Sequence, residues 1–333
     1  MMNGKMQNLS RLKITAFPRI HVSLIGMNSD GYRINGGLGF SIADPKIITY
    51  FKSSTKFNII DEREYGFTEK EKSKLINRLK NLQNQYHFKK RIECHITGES
   101  LTHYGLGTTT AIYLSTMEAF FILNNKQYNE SLIKSISTRG GTSGIGINTY
   151  FRGGGIFDVG ILNTSEELLQ PSSISTNRNN LPLVIKHIEL PNWKVGVLLP
   201  DNLLSKSELE EINFFKRACP IAKSDVQEIL YYVLYGTFSS LIENSFYDFC
   251  HSINRIQQTK WKKKERNLYG NYLIDSEKIL FENGSECVGM SSLGPGLYFF
   301  SENMNKIQNS LKNKAMNFYV TELNNRPRII EYD

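Results

Sequence analysis

The amino-acid sequence predicts an α+β fold. Three observations carry that expectation: short apolar runs punctuated by glycine, helices announced by capping residues, and no strict alternation of strand and helix along the chain. Residues 12–16, 20–24 and 39–42 are the first such runs and read as strands. Thr68-x-x-Glu71 is a capping box, so the polar stretch after it, to Tyr86, reads as a surface helix. Residues 95–97 lead into the loop Gly105-Leu106-Gly107-Thr108-Thr109-Thr110, and the apolar run 111–123 behind it suits a buried helix. Asn129 caps a helix ending near Arg139, where Gly140 and Gly141 stop it. A glycine-dense stretch, 140–160, follows.

The second half opens on a strand at 195–199, closed by Pro200. Ser224-x-x-Gln227 is a further capping box and predicts one long helix to about Cys250. Residues 294–300 read as a tight turn into a strand. Ser301 caps a helix to about Lys312, and 317–322 reads as a late strand. No repeat or low-complexity linker interrupts the chain, so no clean boundary between independent domains is expected.

Composition narrows the function. The 333 residues are 40% hydrophobic and 22% charged, an ordinary globular balance with room for a sizeable core. No apolar run approaches the ~20 residues that span a bilayer. Residues 1–11 are polar and lack a signal-peptide core, which predicts a cytoplasmic protein with no membrane partner. Cys94, Cys219, Cys250 and Cys287 are scattered without a C-x-x-C pair, as expected in a reducing compartment. The six histidines form no ligand spacing either, so no protein-built metal site is expected. A net charge of +8 favours anionic partners. The densest basic run, Lys260-Trp261-Lys262-Lys263-Lys264-Glu265-Arg266, reads as a solvated helix end or loop, and no nucleic-acid partner is expected.

Four stretches carry chemistry. In the 105–110 loop, Gly105 and Gly107 allow close backbone approach, and Thr108, Thr109 and Thr110 add hydroxyls at a helix start, where unpaired N–H groups favour an anion. The spacing matches neither the dinucleotide nor the P-loop fingerprint, and a plain helix cap reads the loop equally well. The 140–160 stretch places Ser143 among glycines, between Arg139 and Arg152, which offer fork geometry for phosphate oxygens. Its Asp158 is either a general base, a holder of phosphate-bound Mg²⁺, or a turn cap. Gly289-Met290-Ser291-Ser292-Leu293-Gly294-Pro295-Gly296 is a hydroxyl-rich loop facing an anion, or a hairpin turn. Near the start, Arg19 and His21 alternate with apolar residues and so share one strand face, and Arg33 and Asn35 precede Gly36-Gly37. His21 has the ordinary range of a proton-transfer group.

In their order along one chain these stretches resemble the GHMP-kinase superfamily, and more narrowly the β-ribofuranosylaminobenzene 5′-phosphate synthases. The resemblance spans roughly residues 12–300. It rests on Pro18-Arg19-Ile20-His21 with Leu24-Ile25, on Arg33 through Gly39, on the 105–110 loop, and on Arg139-Gly140-Gly141 with Ser143 through Gly146. Gly153-Gly154 with Asp158, Phe214-Phe215 with Cys219-Pro220-Ile221, and Gly289 through Pro295 continue it.

What it implies is a GHMP-kinase-like two-lobed fold, with an N-terminal-like domain at 12–190 and a C-terminal-like domain at 191–333, usually as a homodimer. The implied reaction condenses phosphoribosyl diphosphate with 4-aminobenzoate, or a related aromatic or heteroaromatic acid, releasing diphosphate and carbon dioxide. It needs Mg²⁺ and leads towards methanopterin-type cofactors. Gly105, Gly107, Thr108, Thr109, Thr110, Arg139, Ser143, Ser291 and Ser292 would then hold the donor phosphates, and Arg19, His21, Arg33, Asn35 and Asp158 the reacting centre. The chain departs from the family's pattern at Asn35, Thr109, Ala111, Thr142 and Leu293, inside the site loops, which bears on the acceptor more than on the donor. An ATP-dependent small-molecule kinase is the second reading, set lower because the segment Ser143 to Asn148 holds no carboxylate to act as base. A C-nucleoside synthase and a ligand-binding relative without catalysis complete the alternatives.

Overall fold

Three sheets take up the strands that the apolar runs predict. The computed structural model describes residues 9–164, 169–171, 181–199, 206–314 and 316–332. The first sheet contains β1 (Arg11–Ala16), β4 (Ile47–Ser54), β5 (Asn58–Asp61), β6 (Arg91–Thr97) and β14 (Ile329–Tyr332), in the order β14-β1-β4-β6-β5. The second is built on β2 (Arg19–Gly26), β3 (Arg33–Ser41), β7 (Gly155–Asp158) and β9 (Val184–Ile188), with β8 (Ile161–Leu162) paired to β3. The third runs β11-β12-β10-β13, from β10 (Lys194–Leu198), β11 (Cys287–Met290), β12 (Leu297–Phe300) and β13 (Phe318–Glu322). Pairing is antiparallel except between β5 and β6. Through β14 the end of the chain returns to pair with β1 in the first sheet.

Helices close the sheet faces as their apolar stripes require. α1 (Glu69–Tyr86) has the expected Thr68–Glu71 capping box and buries only Leu75, Leu79 and Leu82, one stripe at helical spacing. α2 (Thr108–Leu123) is apolar all round and buried on nearly every side between the first sheet, α3 (Glu130–Ile136) and α4 (Ile145–Arg152). A second core joins the inner faces of the second and third sheets through Phe40, Tyr298 and Phe300, with Phe249 of α8 (Phe246–Gln257) packed on Phe40 and Phe300 at ring separations of 6.2 and 4.8 Å. A third lies on the other face of the third sheet, under α10 (Asn271–Glu282) and α11 (Met304–Asn313). Each face thus sheds apolar area worth roughly 25 cal/mol per Å².

Two expectations are corrected. The single helix from Ser224 to Cys250 is broken. α6 (Lys223–Tyr231) starts two residues earlier, with Ala222 rather than Ser224 at its cap, where Asp225 accepts from the Ala222 amide. Residues Tyr232–Phe238 then widen into a π-helical turn, and α7 (Ser239–Glu243) ends at Asn244 in the left-handed region. Gly236 lets this turn pack closely on α8, since a Cβ there would lie 2.5 Å from Ser252, whose hydroxyl meets that of Thr237 at 2.9 Å. The basic run is α9 (Lys260–Arg266), and it is not simply solvated. Trp261, Lys262 and Glu265 are buried, with Lys262 Nζ 2.6 Å from Glu265 Oε2. The glycine-dense stretch contains α4, a regular helix. Pro200, expected to close β10, and residues 1–8 lie outside the described residues. No helix among the described residues is long and apolar enough to cross a membrane.

Candidate active site

The α2 start is where the geometry of an anion site originates. Gly107 occupies the N-cap at φ 77 and offers no side chain, so no side chain caps the amides of the first turn. Four N–H groups at a helix start lack intrahelical partners, and the dipole there favours negative charge. Gly105 precedes it at φ 84, where a Cβ would sit 2.1 Å from the Ser291 carbonyl oxygen. Only glycine lets this loop press against the turn between β11 and β12.

A cleft opens over that helix start. Its unfilled space, counted out to the open mouth, is about 950 Å³. Of the residues predicted for the site, Arg19, His21, Gly105, Gly107, Thr108, Thr109, Thr110, Arg139, Ser143 and Ser292 line it. The structure therefore brings together residues from β2, the α2 loop, the loop before α4 and the β11–β12 turn.

Two guanidinium groups face this space without ion-paired carboxylates among the described residues. Arg19 Nη1 donates to the Gly105 carbonyl, and its buried Nε has no partner. Burial, and secondarily Arg139, brings its value down to about 10 from 12.5. Arg139 Nε donates to Thr110 Oγ1 at 3.2 Å, its guanidinium lies over the Tyr113 ring, and burial lowers it too. Two like charges held together in a desolvated pocket cost free energy until an anion arrives. Here the unsatisfied donor on Arg19 points to the class of ligand that relieves the cost.

Beside them runs a chain of polar contacts from His21 through Ser143 to Asp158. Ser143 Oγ donates to Asp158 Oδ2 at 3.2 Å, and His21 Nε2 lies 3.1 Å from the same hydroxyl. A hydroxyl has one proton to give, so with Asp158 ionised His21 must donate from Nε2. That leaves Nδ1 as a buried acceptor without a partner. Burial, then Arg19 and Lys262, hold the imidazole well below its ordinary 6.5, so it is neutral. Asp158 also accepts from the amides of Gly144 at 3.0 Å and Gly160 at 2.9 Å. Burial nevertheless pushes its carboxyl up to about 7.

Four predicted residues lie outside the cleft surface. Asp158 is fully buried behind Ser143 and Gly144, so it reaches the cleft only through them. Arg33 donates to the carbonyls of Val159 and Gly160, at 3.2 and 2.7 Å, bracing the turn after Asp158. Asn35 is buried at φ 66, and the amide of its neighbour Gly36 donates to the Thr142 carbonyl. Ser291 is spent structurally: its hydroxyl donates to the Gly105 carbonyl at 2.7 Å and accepts from the His21 amide at 3.0 Å. The β11–β12 stretch is thus a hairpin turn, closed by Ser291 N–H to the Gly296 carbonyl, whose Ser292 reaches the cleft at φ 55. Within the cleft, the Thr108 hydroxyl is committed to the Leu101 carbonyl at 2.8 Å, leaving its backbone amide as the donor.

Sequence reasoning missed His103 and Glu211. His103 lines the cleft at φ 67, its Nε2 2.6 Å from Glu71 Oε1. Glu211 belongs to α5 (Glu208–Ala218), one turn before Phe215, which also lines the cleft. The signal was an acid on the same stripe as buried Phe214, Phe215 and Ala218, hidden within the run Glu208-Leu209-Glu210-Glu211. Among the described residues no group of three or more His, Cys, Asp or Glu side chains could hold a metal ion.

No family model matches the chain. In sequence it is 30% identical over 306 residues to the beta-ribofuranosylphenol 5′-phosphate synthase of Archaeoglobus fulgidus, covering 90% of this chain and 91% of that protein. The protein of that name from Methanothermobacter thermautotrophicus is 28% identical over 288 residues, 84% of this chain and 85% of its own length. In fold the chain is similar to a homoserine kinase from Cytophaga hutchinsonii, with a TM-score of 0.67 at 14% identity over 99% of both chains. It is also similar to the L. major mevalonate kinase in complex with R-mevalonate, with a TM-score of 0.67 at 11% identity, covering 95% of this chain and 96% of that one. At such identities the kinase likeness establishes the GHMP-kinase-like α+β fold and nothing of the chemistry.

Proposed function

The chain belongs to the beta-ribofuranosylphenol 5′-phosphate synthase family, and from that premise we propose that it is a pentosyltransferase joining ribose 5-phosphate to a ring carbon. Its donor is phosphoribosyl diphosphate, and its acceptor is an aromatic acid that loses carbon dioxide as diphosphate departs. The relatives' name specifies a phenol where the sequence resemblance names an aminobenzene. The two acceptors differ in the ring substituent opposite the attacking carbon, so 4-hydroxybenzoate joins 4-aminobenzoate as a candidate. The observation that carries the reading is the pair of guanidinium groups, Arg19 and Arg139, held without ion-paired carboxylates among the described residues over the uncapped start of α2.

Charge develops on the departing diphosphate and, with opposite sign, at the ribosyl carbon. Donors already aimed at the leaving group favour that change because nothing need reorganise as it happens. Arg19, Arg139, the first-turn amides of α2 and the hydroxyls of Thr109, Thr110 and Ser292 bind the phosphates. His21 is held neutral, with Nδ1 a buried acceptor that has no partner. Its tautomer is set by Ser143 and Asp158, which gives it a proton-holding role rather than that of a third cation.

Mg²⁺ accompanies the donor in this proposal. Among the described residues the cleft offers Glu211 as its one surface carboxylate, with Asp158 buried behind Ser143 and three donors already attached to it. Such a set fits an ion carried in by diphosphate better than one caged by protein. When bound, the ion screens the charge of the leaving group. We further propose a cytoplasmic homodimer whose product feeds methanopterin-type cofactors.

Calorimetry with phosphoribosyl diphosphate and with ATP, each with Mg²⁺, tests the donor. Binding of the first alone, followed by carbon dioxide release with a ring acid, is the expected result. Binding of ATP alone would return the protein to the kinases, and donor binding without turnover on any acceptor would favour a ligand-binding relative.

A further inference from the structure

An unpaired acid in an anion cleft is a cost unless another substrate uses it. Glu211 lines the same cleft as Arg19 and Arg139, and its carboxylate has no hydrogen-bond or ion-pair partner among the described residues. A diphosphate would be repelled by it. One turn on, Phe215 turns its ring to the cleft as well, held edge-on by Phe214 at 5.8 Å and by Trp261 at 5.8 Å. Leu24 and Leu293 add further apolar lining. A fixed aromatic ring, aliphatic walls and one acid describe a seat for a flat ring bearing an acidic O–H, not a seat for phosphate.

We propose that Glu211 is the catalytic residue for the acceptor, taking the proton of the ring hydroxyl while Phe215 and Leu293 seat the ring. The assignment rests on the synthase reading and deepens it by favouring a phenolic acid. As the O–H bond breaks, its electron pair enters the ring, and the opposite carbon, which bears the carboxylate, bonds to the ribosyl carbon. The ribosyl carbon–oxygen bond breaks, and diphosphate leaves with that pair. The ring carbon–carboxylate bond then breaks, carbon dioxide leaves, and its pair restores the aromatic ring as a phenolate, which takes the proton back from Glu211. No oxidant or further reactant is needed.

The surroundings suit a base. Burial holds the Glu211 carboxyl above its ordinary 4.5, while His103 and Arg139 pull it down. Glu208 on the same helix adds like charge but is paired with Lys74 of α1 at 2.6 Å, and His103 is paired with Glu71. Tyr269 also lies near it, and burial raises it well out of the working range. A carboxyl held above its ordinary value accepts a proton more readily than one at it.

Glu211→Gln tests this in the whole protein with phosphoribosyl diphosphate, Mg²⁺ and 4-hydroxybenzoate, following carbon dioxide release from pH 5 to 9. The expected result is a fall in kcat of ~100- to 10,000-fold, the usual contribution of a positioned base. The acidic limb of the kcat/KM profile should disappear, and calorimetric donor affinity should be unchanged or tighter. With 4-aminobenzoate, which has no O–H to ionise, the loss should be smaller. A variant with undiminished kcat and an intact acidic limb overturns the assignment and leaves the synthase reading standing. A wild-type protein that turns over neither ring acid removes the synthase reading and this assignment with it.

Discussion

Arg19→Met separates a guanidinium kept for binding from one kept for the fold. The Arg19 side chain is held at about 10 against an ordinary 12.5. At ~1.4 kcal/mol per tenfold change, this amounts to about 3 kcal/mol against the charged form. Water entering the open cleft reduces that figure, and halving it leaves ~1.5 kcal/mol. Replacement also removes the hydrogen bond to the Gly105 carbonyl, worth ~1 kcal/mol. The two nearly cancel, and methionine fills the space of the alkyl stem. The melting temperature of the ligand-free protein should therefore move by no more than a few degrees, at ~2–4 °C per kcal/mol. Donor binding should behave differently. Two charged hydrogen bonds lost at ~1.5–3 kcal/mol each weaken it by ~100-fold or more. Thermal melts and calorimetric titration with phosphoribosyl diphosphate read the two effects on the same samples. A fall of ~10 °C or more with donor affinity intact would refute the reasoning and make Arg19 a structural strut.

Three further outcomes follow from the same structure. Asp158 has a folded value of about 7, above the 3.8 of the free group, so its neutral form favours folding. That contribution is full below pH ~4 and is lost as pH rises through 7. The difference in melting temperature between wild type and Asp158→Asn should thus shift against the wild type across this window, and a constant difference would contradict the assignment. Lys262→Met should cost ~3–5 kcal/mol in urea unfolding, because it strands buried Glu265, and adding Glu265→Leu should recover part of the loss. Gly105→Ala should destabilise the protein by at least ~2 kcal/mol, since its φ is 84 and the new Cβ would meet the Ser291 carbonyl at 2.1 Å. A melting curve matching wild type would show that the two loops can part.

Strands and capped helices were legible because their signals are local. The Thr68–Glu71 box, the Asn129 cap and the apolar run of α2 each depend on residues within a turn or two of one another. Ser224 misled for the same reason. Its spacing to Gln227 satisfies the capping pattern, but helix packing around Gly236 and the left-handed Asn244 divides the segment. In the basic run, composition pointed to water while tertiary packing placed Lys262 and Glu265 inside as a pair.

By itself, the sequence determined which loops are rich in glycine and hydroxyls, that Arg19 and His21 share a strand face, and through its order of motifs the family. These properties are written in residue type and spacing, which the chain carries before it folds. Only the tertiary structure decided the division of labour within the site. It spent Ser291 and the Thr108 hydroxyl on loop carbonyls, buried Asp158 behind Ser143, and brought Glu211 to a cleft 106 residues from the Gly105 loop. The reason is physical: a polar group's role depends on whether a partner or an open space lies within ~3 Å of it, and that distance is set by contacts between segments remote in the chain.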